Sequence, residues 1–176
     1  MSTGNTANIL VATVDSTVCI KLEGRANFAS SVDFKRLVNG MREAGNQRFI
    51  VDLSACQIMD STFLGMLAGL GTRLSSESLP PEERPIELLN PSERVADLID
   101  NLGVSNLFNI VSCDTRPEVA YAAAGTDGTS TSKLDLSRNC LEAHQILMDL
   151  NPDNVAKFKD VAKFFADEVK RAEDQG

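Results

Sequence analysis

The chain has 176 residues, 43% of them hydrophobic and 24% charged, with no tryptophan, one tyrosine and a formal net charge of −8. That length suits one well-packed core with an appendage rather than two full-sized domains, and the composition is that of a folded protein. An acidic chain, with a sequence pI of ≈ 4.7 and no basic patch studded with aromatics, is unsuited to a phosphate backbone, which excludes nucleic acid as a partner.

In chain order, Ile9 to Thr13 and Val18 to Leu22 are short β-branched runs separated by Asp15-Ser16, the pattern of an opening hairpin. Phe28 to Ala44 carries Phe28, Val32, Phe34, Leu37, Val38 and Met41 at helical spacing, and Gly45 is a natural stop. Arg48 to Leu53 is apolar enough for a central strand, and a helix is expected from Ser61 to the vicinity of Ser76. Pro80-Pro81 and Pro85 interrupt the chain ahead of a strand at Ile86 to Leu89, which Asn90-Pro91 closes. Ser92 to Asn101 repeats the cap-and-helix pattern, with Val95, Leu98, Ile99 and Leu102 as its stripe and Gly103 as its end; Leu107 to Val111 is the last strand candidate. This succession predicts an α/β (α+β) fold, one sheet of about four to five strands covered by helices.

Gly125 to Ser132 is small and polar throughout, with no means of burying itself. We therefore expect a sheet domain over 8–125, a flexible linker over 126–134 and a helical hairpin over 135–173. Leu136, Cys140, Leu141, His144, Leu147 and Met148 form one apolar stripe; Asn151-Pro152 is a cap and first-turn pair; Val155, Phe158, Val161, Ala162, Phe165 and Val169 form a second stripe. Neither arm hides its stripe alone. The hairpin must pack back on the sheet domain or bury that face in a homo-oligomer. His144, the single histidine, lies on the first stripe, where a packed neutral imidazole is expected rather than a catalyst or ligand.

Gly65, Gly69 and Gly71 each cost a helix about 0.8 to 1 kcal/mol relative to Ala, so something must offset them. Close packing of the helix on the sheet is the expected reason; a phosphate-cradling loop would need a lysine and a place between strand and helix. Cys19, Cys56, Cys113 and Cys140 are widely scattered, with no C-x-x-C pair, so neither zinc nor disulfides are expected, and no cofactor is implied. No stretch approaches the roughly 18 to 20 apolar residues of a membrane span. Met1-Ser2-Thr3-Gly4-Asn5 also lacks the basic-then-apolar order of an export signal, and we expect a cytoplasmic protein.

The functional candidate is Met59-Asp60-Ser61-Thr62-Phe63-Leu64-Gly65, which follows the strand and opens a helix. Asp60 is a good N-cap, and the orphan N–H groups and positive dipole end beyond it are hospitable to a phosphate. A hydroxyl placed there is a plausible switch, since phosphorylation adds a charge of about −1.5 to −2. Caps and first-turn fillers are the commoner use of Ser and Thr at such positions.

Val51-Asp52-Leu53-Ser54 followed by that segment resembles the signature of STAS domains, the family of bacterial anti-sigma factor antagonists: D-L-S, a short link, then M-D-S-S-G-L-G. The resemblance implies that the second hydroxyl after the Asp, here Thr62, is phosphorylated by a partner kinase, with Ser61 as the shaping neighbour and second choice. Thr stands here for the usual Ser, and Phe63 for a Gly, placing a large ring beside the hydroxyl. Upstream, Gly24-Arg25-Ala26-Asn27 is similar to the family's G-x-[LA]-[DN]; Asn27 occupies a position where Asp is common.

The resemblance implies a non-catalytic bacterial signalling module in which Asp60, Ser61, Thr62, Phe63, Gly24 and Asn27 form the partner-binding surface. Its partner would be an anti-sigma factor or serine/threonine kinase, with a phosphatase reversing the modification. The alternative is a constitutive scaffold or assembly subunit of the same fold without a phosphoryl switch. An enzyme is disfavoured by the single histidine and the lack of a G-x-S-x-G motif.

Overall fold

The computed structural model describes residues 6–75, 79–114, 119–124 and 131–175. The β-branched runs at the start pair as an antiparallel hairpin, β1 (Asn8–Val14) and β2 (Thr17–Ala26), turning at Asp15 with a φ of 57°. Helix α1 (Phe28–Glu43) follows, capped by Asn27 in a capping box with Ser30. Strands β3 (Arg48–Asp52) and β4 (Cys56–Met59) then lead into helix α2 (Ser61–Leu74). Beyond a short 3-10 turn come β5 (Ile86–Leu89), helix α3 (Glu93–Asn101), β6 (Asn109–Val111) and β7 (Ala122–Ala123). Helices α4 (Lys133–Leu150) and α5 (Asp153–Asp174) complete the chain.

The sheet runs β6-β5-β3-β2-β1-β7, with β4 paired to β2 off this path. Its strands number more than the four to five expected. The additions are β4, which the sequence presents as a short link, and the two-residue β7. The long strand β2 serves two neighbours in turn: Thr17 to Lys21 pair in parallel with β3, and Gly24 to Ala26 with β4, across an irregularity at Gly24/Arg25. Gly24 takes a φ of 98° there and donates its N–H to the Ala55 carbonyl at 2.9 Å, a conformation that favours glycine. The last expected strand starts later than its apolar run, because Ser105–Leu107 forms a 3-10 turn.

Helix α2 is the structural centre of the helical layer. Every residue from Thr62 to Gly71 is buried, because one face joins the sheet in the main core and the other lies under α4. The glycines record this arrangement. A Cβ on Gly71 would approach Ile86 and Leu107, as expected for packing on the sheet. Gly65 and Gly69 correct that expectation: a Cβ on Gly65 would lie 2.5 Å from the Ala143 carbonyl oxygen, and one on Gly69 2.8 Å from the Ile146 side chain, both on α4. The close approach is therefore helix against helix.

The C-terminal hairpin packs on its own chain, with α4 against α1 and α2 and α5 against α4. The N-cap of α5 is Pro152, one residue later than expected, and the Asn151 side chain just ahead of it accepts from the Asp153 N–H at 3.1 Å. Of the expected linker over 126–134, residues 126–130 lie outside those described, and α4 begins at Lys133 with Ser132 as its cap. Ser76, near the expected end of α2, also lies outside them. No helix among the described residues is long and apolar enough to cross a membrane.

Candidate functional site

The site is assembled where β4 delivers the chain to α2. The D-L-S motif ends β3 in an Asx-type turn: buried Asp52 accepts from the Ser54 N–H at 2.9 Å and from its hydroxyl at 2.6 Å. Asp60 then binds two elements together. Its Oδ1 accepts from the Phe63 N–H at 2.9 Å, capping α2, while its Oδ2 accepts from the Phe28 N–H at 2.8 Å at the start of α1. Burial pushes the Asp60 carboxyl above the usual carboxylate range; the backbone bonds from Phe63 and Phe28 and the proximity of His144 oppose that shift.

The two hydroxyls lie in the first turn, under α4. Thr62 is only 5% exposed, and its Oγ1 donates to Cys140 Sγ at 3.7 Å. Ser61 Oγ lies 2.9 Å from His144 Nε2, and His144 Nδ1 lies 2.6 Å from the Cys140 carbonyl oxygen. A carbonyl oxygen only accepts, so Nδ1 carries a proton, and in the neutral ring Nε2 accepts the Ser61 hydroxyl proton. The His144 ring also packs on Phe158, with centroids 4.9 Å apart. The expected buried imidazole is present, and its partner is the candidate hydroxyl site, a contact no local pattern signals across 83 positions of sequence.

The remaining candidates fall into place around this pair. Phe63, expected beside the hydroxyls, turns inward and is fully buried against Phe34, with ring centroids 4.7 Å apart. This corrects its assignment to a partner-binding surface: the ring supports α2 from beneath. The exposed aromatic at this end is Phe28, at 48%, whose N–H is bonded to Asp60. Sequence spacing placed it on the apolar stripe of α1. Asn27 caps α1 and accepts from the Thr6 hydroxyl at 3.2 Å, and Gly24 sits at the β2 irregularity.

Among the described residues no group of three or more His, Cys, Asp or Glu is arranged to hold a metal ion. A groove of ≈ 640 Å³ between β1, β7 and α1, lined by Ile9, Asp33, Arg36 and Leu37, is not lined by either hydroxyl.

The STAS domain family matches this chain over residues 8–122. The chain belongs to the STAS domain family. Two relatives are anti-sigma-B factor antagonists: one from Staphylococcus aureus, 24% identical over 103 residues, 58% of this chain and 91% of the relative, and one from Staphylococcus epidermidis, 26% identical with the same coverage. The crystal structure of an anti-sigma factor antagonist from Mycobacterium paratuberculosis shares the fold, with a TM-score of 0.52, 16% identity and coverage of 62% of this chain and 89% of that one. The STAS match takes in the whole sheet and helices α1 to α3 apart from the last residue of β7, and α4 and α5 lie beyond it. The helix that covers Ser61 and Thr62 therefore lies outside the matched residues.

Proposed function

We propose that this STAS protein is a non-catalytic regulatory module that binds an anti-sigma factor, or a related serine/threonine kinase, at the start of α2, under control of phosphorylation at Thr62, with Ser61 as second choice. The observation that carries this reading is the pair of adjacent hydroxyls in the first turn of a helix capped by Asp60. The names of the staphylococcal relatives support the choice of partner. A phosphoryl group would gain from the helix N-terminus and repel acidic groups of a docked partner, weakening the complex until a phosphatase removed it. The sheet domain over 8–125 carries the site, and the hairpin over 135–173 is its accessory, joined through 126–134.

Although Ser61 and His144 form a hydroxyl–imidazole pair, a base only 4% exposed beneath a packed helix is a structural contact rather than a nucleophile's activator. The scaffold reading draws its support from the same burial, because α4 already covers Thr62. Intact-mass measurement with site localisation on protein from native cells, beside Thr62→Val, separates the two. A single phosphate on Thr62 that the variant lacks is the expected result. Protein that stays unmodified after incubation with native lysate and ATP would favour the scaffold.

A further inference from the structure

We propose that the C-terminal hairpin is an intramolecular cap on the hydroxyl pair, and that a docked hairpin and a phosphoryl group on Thr62 exclude each other. Its regulatory use rests on the phosphorylation reading above; the exclusion itself rests on geometry.

Thr62 Oγ1 has Cys140 Sγ at 3.7 Å as its partner, and both residues are buried. A phosphoryl group brings three more oxygens and a charge of about −1.5 to −2 to a place occupied by a thiol. The two helices leave no gap beside it, since a Cβ added at Gly65 would lie 2.5 Å from the Ala143 carbonyl oxygen. Phosphoryl transfer further requires the acceptor oxygen in line with the nucleotide, an approach that α4 blocks. The hairpin must lift first.

Its attachment combines a modest apolar contact, with Ala143 and Leu147 in the core and Ile146, Leu150 and Phe158 packed against it, with polar ties at its edge. Glu142 is held between Lys35 and Arg73, the latter at 2.8 Å, and all three are partly exposed. Asn139 donates to Ser31 Oγ at 2.6 Å, and Ser61 Oγ lies 2.9 Å from His144 Nε2. The polar ties exchange with water at low cost, and the few apolar side chains of the hairpin are outnumbered by those that the sheet and α1 to α3 bury together, so the hairpin opens ahead of the sheet. Coupling between two events is reciprocal: whatever lifts the hairpin promotes modification of Thr62, and the modification holds the hairpin away.

Cys140 reports directly on this opening. The 176-residue chain is treated with N-ethylmaleimide and labelled cysteines are mapped by peptide mass, with sheet residue Cys19 as the control for unfolding. Thr62→Glu puts a carboxylate under α4, and Glu142→Lys gathers three cations at its edge. Each is expected to speed Cys140 labelling about tenfold or more while Cys19 stays protected. In native lysate with ATP, Glu142→Lys should gain phosphate on Thr62 about tenfold faster than wild type.

Wild-type protection of Cys140 in Thr62→Glu overturns the exclusion. So do equal Thr62 phosphorylation rates in wild type and in a Glu142→Lys protein whose Cys140 labels freely. Should Thr62→Glu also expose Cys19, the Glu142→Lys comparison decides alone. Freed Cys140 in both variants with no phosphate on either wild type or Glu142→Lys sustains the exclusion and removes the phosphorylation reading instead.

Discussion

The sheet domain buries Val18, Ile20, Leu22, Phe34, Phe49, Val51 and Leu88, whereas α4 turns Ser137, Asn139, Cys140, Ala143, His144 and Leu147 inward and α5 leaves Val155, Val161 and Phe164 exposed. The first set removes a large apolar area from water and supplies the driving force for the fold. The second set adds less apolar area, chiefly through Leu147, and depends also on shape and on polar contacts. One chain thus carries a core that must stay closed and an attachment whose stability is adjustable, and the candidate hydroxyls lie at the boundary between them.

The comparison breaks most visibly at Phe63, which stands beneath the hydroxyls but belongs to the core. Phe63→Ala should cost about 3–5 kcal/mol in denaturant unfolding, as for a large aromatic removed from a packed interior. A loss below about 1 kcal/mol, the range of an ordinary surface change, would return the ring to the surface role its sequence position first suggests.

Gly65 and Gly69 sharpen it. Gly65→Ala meets backbone of α4 and should weaken hairpin docking by about 1–3 kcal/mol, seen as faster amide exchange across α4 with the sheet unchanged. Gly69→Ala meets only the end of the Ile146 side chain, which can turn aside, so helix propensity should prevail and stabilise by up to about 1 kcal/mol. Equal effects at the two positions would mean that α4 adjusts freely, contrary to a helix held in one register.

Asn154, fully buried at the start of α5, donates to the Leu102 carbonyl at 2.9 Å and the Leu147 carbonyl at 2.8 Å, tying the hairpin to the end of α3. Asn154→Ala removes the donor to the Leu102 carbonyl, while the Leu147 carbonyl still accepts from the Asn151 N–H at 3.2 Å, and should cost about 1–3 kcal/mol. Exchange should rise at the α4–α5 turn; a uniform rise across the sheet would show that the hairpin and the core unfold as one unit.

Much of this was legible in the residues. Alternating β-branched runs marked β1 and β2, helical spacing marked α1 and α3, and Asp60 announced α2 through its cap. Strand β4 escaped because four residues carry no clear period and its partner is the distant end of β2. Strand β7 is two alanines, whose pairing comes from β1 rather than from any β preference of their own. The covering of α2 did leave a trace: no charged residue occurs between Asp60 and Arg73, so the helix has no face suited to water. What covers it was not legible, since the contacts of Ser61 with His144 and Thr62 with Cys140 join segments that only the folded chain brings together.

The smallest expected effect tests how much of the attachment is charge. Glu142 meets Lys35 and Arg73 with roughly a third of each side chain exposed, at 31%, 33% and 38%, and such pairs are each worth about 0.2–1 kcal/mol. Glu142→Gln keeps the shape and removes the charge. At low salt it should speed α4 amide exchange by a few-fold. At about 1 M salt, where the screening length is near 3 Å, the difference from wild type should largely disappear. A deficit that persists in high salt would mean that Glu142 holds the hairpin through its hydrogen-bond geometry, which the amide of Gln does not reproduce: its nitrogen cannot accept from Lys35 or Arg73. The same pair of measurements would then place α4 among the specifically fitted parts of the molecule, closer in kind to the sheet than to a detachable cap.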